Sequence, residues 1–231
     1  MSSPIDETFT EQNLKPGTVF EFGCSPGQFT QRTAARPGFQ VTAIDLYLPE
    51  VEGFEFIHGD FMDVEIDRQF DNVCCVSSFE HCGIEPVNYV GSDRYQEGST
   101  PDFEYHKPIA KKLISLVRPG GRFIITCPFG PNEIWLINQF DDKKNMFSPS
   151  EISEDKVPKW GHRTFTLARL KELFAPMEVV KASAFGKHGT DHFVLEHWHR
   201  VDVETDHEEF TEEKANDGII CVVFEKNMEQ E

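Results

Sequence analysis

The chain has 231 residues, enough for one ordinary domain with a full core and too few for a second large one. Aspartate and glutamate number 40 against 22 lysines and arginines, a formal net charge of −18 that no basic block interrupts. That balance disfavours a nucleic-acid partner, because binding a phosphate backbone usually takes a cationic stripe. No apolar run approaches the ~18 residues that a bilayer crossing needs, and Met1 to Gln12 is polar and acidic with no apolar signal core. The six cysteines, Cys24, Cys74, Cys75, Cys82, Cys127 and Cys221, form no CxxC pair, as expected for reduced, buried thiols in a soluble cytoplasmic protein.

In chain order, the apolar runs Thr18 to Phe22, Gln40 to Ile44, Phe54 to Ile57, Asn72 to Ser77 and Arg122 to Thr126 predict strands buried on both faces. A short helix is predicted over Gln28 to Ala35 and a longer one over Pro108 to Val117, where Ile109, Leu113, Leu116 and Val117 share a face and Pro119-Gly120-Gly121 stops the run. Pro131 to Trp160 shows no sustained periodicity. A further helix follows over Leu167 to Phe174, with Thr166 as its cap, and two last strands over Met177 to Phe185 and Gly218 to Glu225. The acid-rich run Asp202 to Glu213 reads as a solvated loop or edge. Strand and helix in alternation predict an α/β fold with a doubly wound, mostly parallel, Rossmann-like sheet and an antiparallel last strand. Residues 1–231 are expected to form a single domain, with 84–105 and 131–160 as substrate-side insertions.

The first strand, Val19-Phe20-Glu21-Phe22, runs into a turn carrying Gly23 and Gly27, and eighteen residues after Gly27 comes Asp45 at the tip of the second strand. Glycines let the backbone approach a ligand there, and an acid at that tip can accept both hydroxyls of a ribose. A dinucleotide site needs GxGxxG so that the backbone meets a pyrophosphate. The spacing here is ExGxxxG, which speaks against a nicotinamide dehydrogenase.

Glu21, Gly23 and Gly27 resemble motif I of the class I S-adenosylmethionine-dependent methyltransferases, with Ser25 where many members carry a middle glycine. Asp45, Gly59-Asp60-Phe61, the strand end Val76-Ser77-Ser78-Phe79-Glu80-His81 and the turn Pro119-Gly120-Gly121 match later segments of that family in order, so the resemblance covers residues 18 to 130. Ile219 to Glu225 resembles the family's seventh strand, which implies antiparallel pairing at the sheet edge. The cofactor implied is S-adenosylmethionine. The cofactor residues implied are Glu21, Gly23, Cys24, Ser25, Gly27, Asp45 and Leu46 on the ribose and methionine side, Asp60 for the adenine amine, Phe61 beside the ring, and Ser77.

His81, at the carboxyl edge of the sheet, is placed to take a proton from a nucleophile or simply to pack; Glu80 would orient its ring or cap the next segment. Tyr89, Asp93, Arg94 and Tyr105 are candidates to grip a polar acceptor, or belong to a surface excursion, and Phe129 would wall the acceptor pocket or be core. His188, His192, His197 and His199 lack the spacing of a ligand trio, so no metal is expected. Ser77-Ser78 at the fourth strand tip speaks against the magnesium-binding catechol type, and an Asn-Pro-Pro-Tyr loop for amine methylation is missing. The reading preferred on sequence is methyl transfer to a small polar acceptor, such as a hydroxyl of a sugar or metabolite. Cys24-Ser25-Pro26-Gly27 also resembles the loop of RNA 2′-O-methyltransferases, a group that needs a Lys-Asp-Lys set around the acceptor ribose; this is the alternative, together with a non-catalytic cofactor-binding member. The sequence fixes no oligomeric state.

Overall fold

The computed structural model describes residues 3–24, 26–83, 102, 104–131, 134–137, 146–147, 160–187, 195–210 and 217–228. Its main sheet is built from β1 (Gly17–Phe22), β2 (Phe39–Asp45), β3 (Glu55–His58), β4 (Phe70–Val76), β5 (Val117–Pro128), β9 (Glu178–Lys187), β10 (Trp198–Val201) and β11 (Gly218–Glu225), in the order β10-β9-β11-β5-β4-β1-β2-β3. Neighbours from β5 to β3 run parallel, while β11 pairs antiparallel with both β5 and β9, and β9 with β10. The expectation that the last strand lies at the sheet edge is therefore corrected. β11 is interior, buried from Gly218 to Phe224, and the edge is taken by β10, which the sequence reading did not find.

Side chains alternate to opposite faces of each strand, as the pleat dictates. On one face Phe20, Val73, Cys75, Phe123, Ile125, Val222 and Phe224 form a core under α3 (His106–Leu116) and α4 (Leu167–Leu173). On the other, Val19, Cys74, Val76, Ile124, Cys221 and Val223 pack with Phe29 of α2 (Gln28–Ala34) and with Phe9 of α1 (Pro4–Asn13). Thr166 caps α4 as expected, its Oγ1 accepting from the Arg169 N–H at 3.1 Å.

Helix α1 was not anticipated. Its start is a capping box: the Ser3 N–H donates to Asp6 Oδ2 at 2.8 Å, the Asp6 N–H donates to Ser3 Oγ at 3.4 Å, and Pro4 occupies the first turn. Within 131–160, where no periodicity is visible, β6 (Ile134–Ile137) and β7 (Met146–Phe147) join β8 (Trp160–Arg163) in a small antiparallel sheet, ordered β7-β6-β8. β8 lies against the 3-10 turn Phe79–His81 that follows β4. Among the described residues no helix is long and apolar enough to cross a membrane.

Candidate cofactor and acceptor site

In this strand order β1 has β2 on one side and β4 on the other, so the crevice at their carboxyl ends is the switch point where open α/β sheets bind ligands. The glycine turn sits there. Gly23 has φ +75°, its N–H donates to Ile44 O at 2.9 Å, and its own carbonyl accepts from Ser78 Oγ at 2.8 Å. A Cβ on Gly23 would lie 2.4 Å from the Ser78 side chain, so glycine is required both by conformation and by the close approach of the β4 tip. Gly27, at φ +96°, opens α2, and its carbonyl accepts from the Gln31 N–H at 2.9 Å. Ser25 lies outside the described residues. Cys24 is buried, and burial followed by the charges of Glu21 and Asp45 pushes its thiol up, which closes it to thiolate chemistry.

Glu21 does not face the crevice as a free ligand. It is 2 % exposed, and its Oε2 accepts from Thr30 Oγ1 of α2 at 2.6 Å. Burial pushes this acid up to about 8, with the Thr30 bond opposing and the charges of Asp45 and Glu7 adding.

Asp45 and Asp60 lie at adjacent strand tips. Asp45 pairs with His58 in the β2–β3 ladder, its carbonyl accepts from the Gly59 N–H at 3.1 Å, and its Oδ1 accepts from the Tyr47 N–H at 2.9 Å. His58 Nε2 donates to Leu46 O at 2.9 Å, tying the two loops together. Asp60 Oδ1 accepts from the Met62 N–H at 2.8 Å, and among the described residues its Oδ2 makes no hydrogen bond. Phe61 departs from expectation: its ring is buried, with centroids 5.0 Å from Phe22 and 5.9 Å from Phe20, so its side chain belongs to the core and not to a ring-bordering surface.

At the β4 tip, Ser77 has φ +47°, the one positive value at a non-glycine position among the described residues. It is held there by its N–H donating to Thr126 O at 3.0 Å and its Oγ donating to Asp6 Oδ2 at 3.2 Å. Asp6 is fully buried and was missed on sequence, although Ser3-Pro4-Ile5-Asp6 carries the spacing of a capping box. Glu80 is also buried, and among the described residues its Oε2 has no hydrogen-bond partner. Burial pushes its acid up to about 7, His81 opposing. The His81 side chain is 27 % exposed, and its Nε2 stands 3.8 Å from Glu80 Oε1, an electrostatic contact beyond hydrogen-bond reach.

On the acceptor side, Tyr105 is half-buried just before α3 and packs against the core, and Phe129 is fully buried against Phe210, 5.6 Å between centroids. Of the two readings of Phe129, its burial places it in the core of the described residues. Tyr89, Asp93, Arg94, His188 and His192 lie outside the described residues. What converges is a glycine turn exposing backbone, two carboxylates at neighbouring strand tips and a half-exposed imidazole. The carboxylates suit ribose hydroxyls and an exocyclic amine, so the donor set fits a nucleoside cofactor without phosphates.

The model of the FtsJ-like methyltransferases matches residues 4–199. The chain belongs to that family. Its cofactor is S-adenosylmethionine. Among curated relatives, ribosomal RNA large subunit methyltransferase E of Xanthomonas oryzae pv. oryzae is 32% identical over 124 residues, covering 48% of this chain and 55% of that one. Its counterpart in Xanthomonas campestris pv. campestris is 34% identical over 84 residues, covering 35% and 36%. The chain thus spans about half the length, or less, of these relatives. Among solved structures, the 1,6-didemethyltoxoflavin-N1-methyltransferase of Burkholderia thailandensis, with S-adenosylhomocysteine bound, superposes at a TM-score of 0.56 with 16% identity, covering 97% of this chain and 77% of that one. A methyltransferase from Methanosarcina mazei gives 0.56 with 14% identity and 98% of both chains. At such identities these two share the fold of the family.

Proposed function

We propose that this methyltransferase acts on a ribose 2′-hydroxyl of RNA, the alternative on sequence, rather than on the small polar acceptor preferred there. The observation that carries this reading is the family match across residues 4–199 together with relatives named for ribosomal RNA. The net charge of −18 is a property of the whole chain and does not exclude a local RNA surface. In this reading Asp45 accepts the cofactor's ribose hydroxyls and Asp60 Oδ2 its adenine amine. The backbone of Gly23, Cys24, Ser25 and Gly27, with Leu46 and Ser77, borders the rest. Glu21 and Phe61 support the turn and the strand tip from below. S-adenosylmethionine supplies an electrophilic methyl group on a sulfonium. His81 takes the proton from the attacking hydroxyl, and the negative field of buried Glu80 favours the imidazolium that results. Tyr105, with Tyr89, Asp93 and Arg94, holds the acceptor.

One observation favours the small-acceptor reading: the β4 tip carries Ser77-Ser78 where the RNA group needs an aspartate, and Ser78 is already engaged with Gly23. The two are separated by incubating the protein and labelled methyl donor with total RNA or with a small-molecule extract. RNA methylation should yield label in alkali-resistant dinucleotides, the mark of a methylated 2′-hydroxyl. Label confined to the small-molecule fraction would refute the RNA assignment and leave the cofactor intact.

A further inference from the structure

The connection between β3 and β4 contains no helix. Residues 60–64 make one tight turn, in which the Asp63 and Val64 N–H groups donate to Asp60 O at 3.0 and 3.2 Å, and the Met62 N–H donates to Asp60 Oδ1. An isolated turn of this kind is marginal in water, because few hydrogen bonds offset the backbone entropy that it loses. Lys112 of α3 reaches across and donates from Nζ to Phe61 O at 2.5 Å and to Val64 O at 2.6 Å, with the same ammonium 4.7 Å from the centroid of the Phe61 ring. A cation on the carbonyl end of a helical turn is favourable by charge and by dipole. The two carbonyls lie 48 and 51 residues from Lys112 in sequence, so the bonds join two distant segments.

We infer that Lys112 is a positioning residue for the cofactor's base: it clamps the 60–64 turn and so holds Asp60 Oδ2 where an exocyclic amine must donate. The inference rests on the placement of adenine at Asp60. Lys112 acts through the two carbonyls, which fix the turn, which fixes the carboxylate. Its role is in selection of adenine over a base with an acceptor at the same position, because a carboxylate held in place attracts an amine and repels a carbonyl oxygen.

The probes are S-adenosylhomocysteine and its deaminated analogue S-inosylhomocysteine, titrated calorimetrically into wild type, Lys112→Met and Asp60→Asn. Wild type should prefer the adenosyl ligand by about tenfold or more, the scale of one charge-assisted hydrogen bond. Asp60→Asn should lose the preference. Lys112→Met, which keeps the apolar stem over Phe61, should lose most of it too, with little change in affinity for the inosyl ligand. A wild type that binds both ligands equally overturns the adenine placement, and the inference with it. A Lys112→Met protein that keeps the full preference overturns the inference alone. Should that variant not fold, hydrogen exchange on wild type decides: the Met62 and Val64 amides should be protected more by the adenosyl than by the inosyl ligand, and equal protection refutes the role.

Discussion

Glu21 lies under the glycine turn, and its ionisation ties stability to pH. The carboxyl goes from an ordinary 4.5 to about 8, with burial as the first cause. A raised acid binds its proton more tightly in the folded state. The stability this gives is fully present below pH 4.5 and is lost as pH rises through 8, at about 1.4 kcal/mol for each pH unit between them. The total is on the order of a few kcal/mol. Glu80, raised from 4.5 to about 7, acts in the same direction over a narrower window. Glu21→Gln keeps an oxygen for the Thr30 hydroxyl and removes the titration, so its urea midpoint should fall less than that of wild type between pH 5 and pH 8. Parallel curves for the two proteins would show that Glu21 does not hold its proton in the folded chain.

At the scale of elements, α1 contributes to the site through one buried acid. Asp6 Oδ2 serves the Ser3 N–H, the Ser3 hydroxyl and the Ser77 hydroxyl, so the same carboxyl starts the helix and holds the β4 tip. Asp6→Ala would leave buried donors unpaired and remove half of the capping box, a loss of about 2 kcal/mol or more in denaturant unfolding. Asp6→Asn keeps an accepting oxygen and should lose less; an alanine variant as stable as wild type would mean that α1 is only a surface attachment. This helix also marks where the sequence stops being legible. The parallel strands can be read because runs such as Asn72 to Ser77 are apolar on both faces, and the glycine turn can be read because its conformation and its spacing to Asp45 are local. By contrast α1 has a mainly polar sequence, with Phe9 as its one aromatic and its anchor an aspartate, so its periodicity is weak. The interior position of β11 depends on β9 pairing with the edge that β5 leaves open, which no pattern within Gly218–Glu225 records. At the site, Phe61 and Phe129 show the same limit, since an aromatic residue after a strand suits a pocket wall and a core equally well. The Lys112 clamp spans two distant segments and leaves no local trace.

For the whole molecule, the charge of −18 and the polyanionic acceptor of the proposed function meet in one measurable quantity, the salt dependence of methyl transfer. A basic RNA-binding protein releases counterions from the phosphate backbone, so its affinity falls steeply as salt rises. Under the RNA proposal, long-range repulsion between an acidic chain and RNA opposes association. The Debye length that screens this repulsion is about 10 Å at 0.1 M ionic strength and about 30 Å at 0.01 M. Raising salt from about 0.02 to about 0.2 M should therefore lower the apparent KM for RNA, provided that contact relies on hydrogen bonds and ribose recognition more than on ion pairs. An uncharged small acceptor has no such term, and its KM should stay flat over the same range. A KM for RNA that climbs with salt would contradict this expectation and place a compact cationic surface at the acceptor mouth, strong enough locally to outweigh the field of the whole chain.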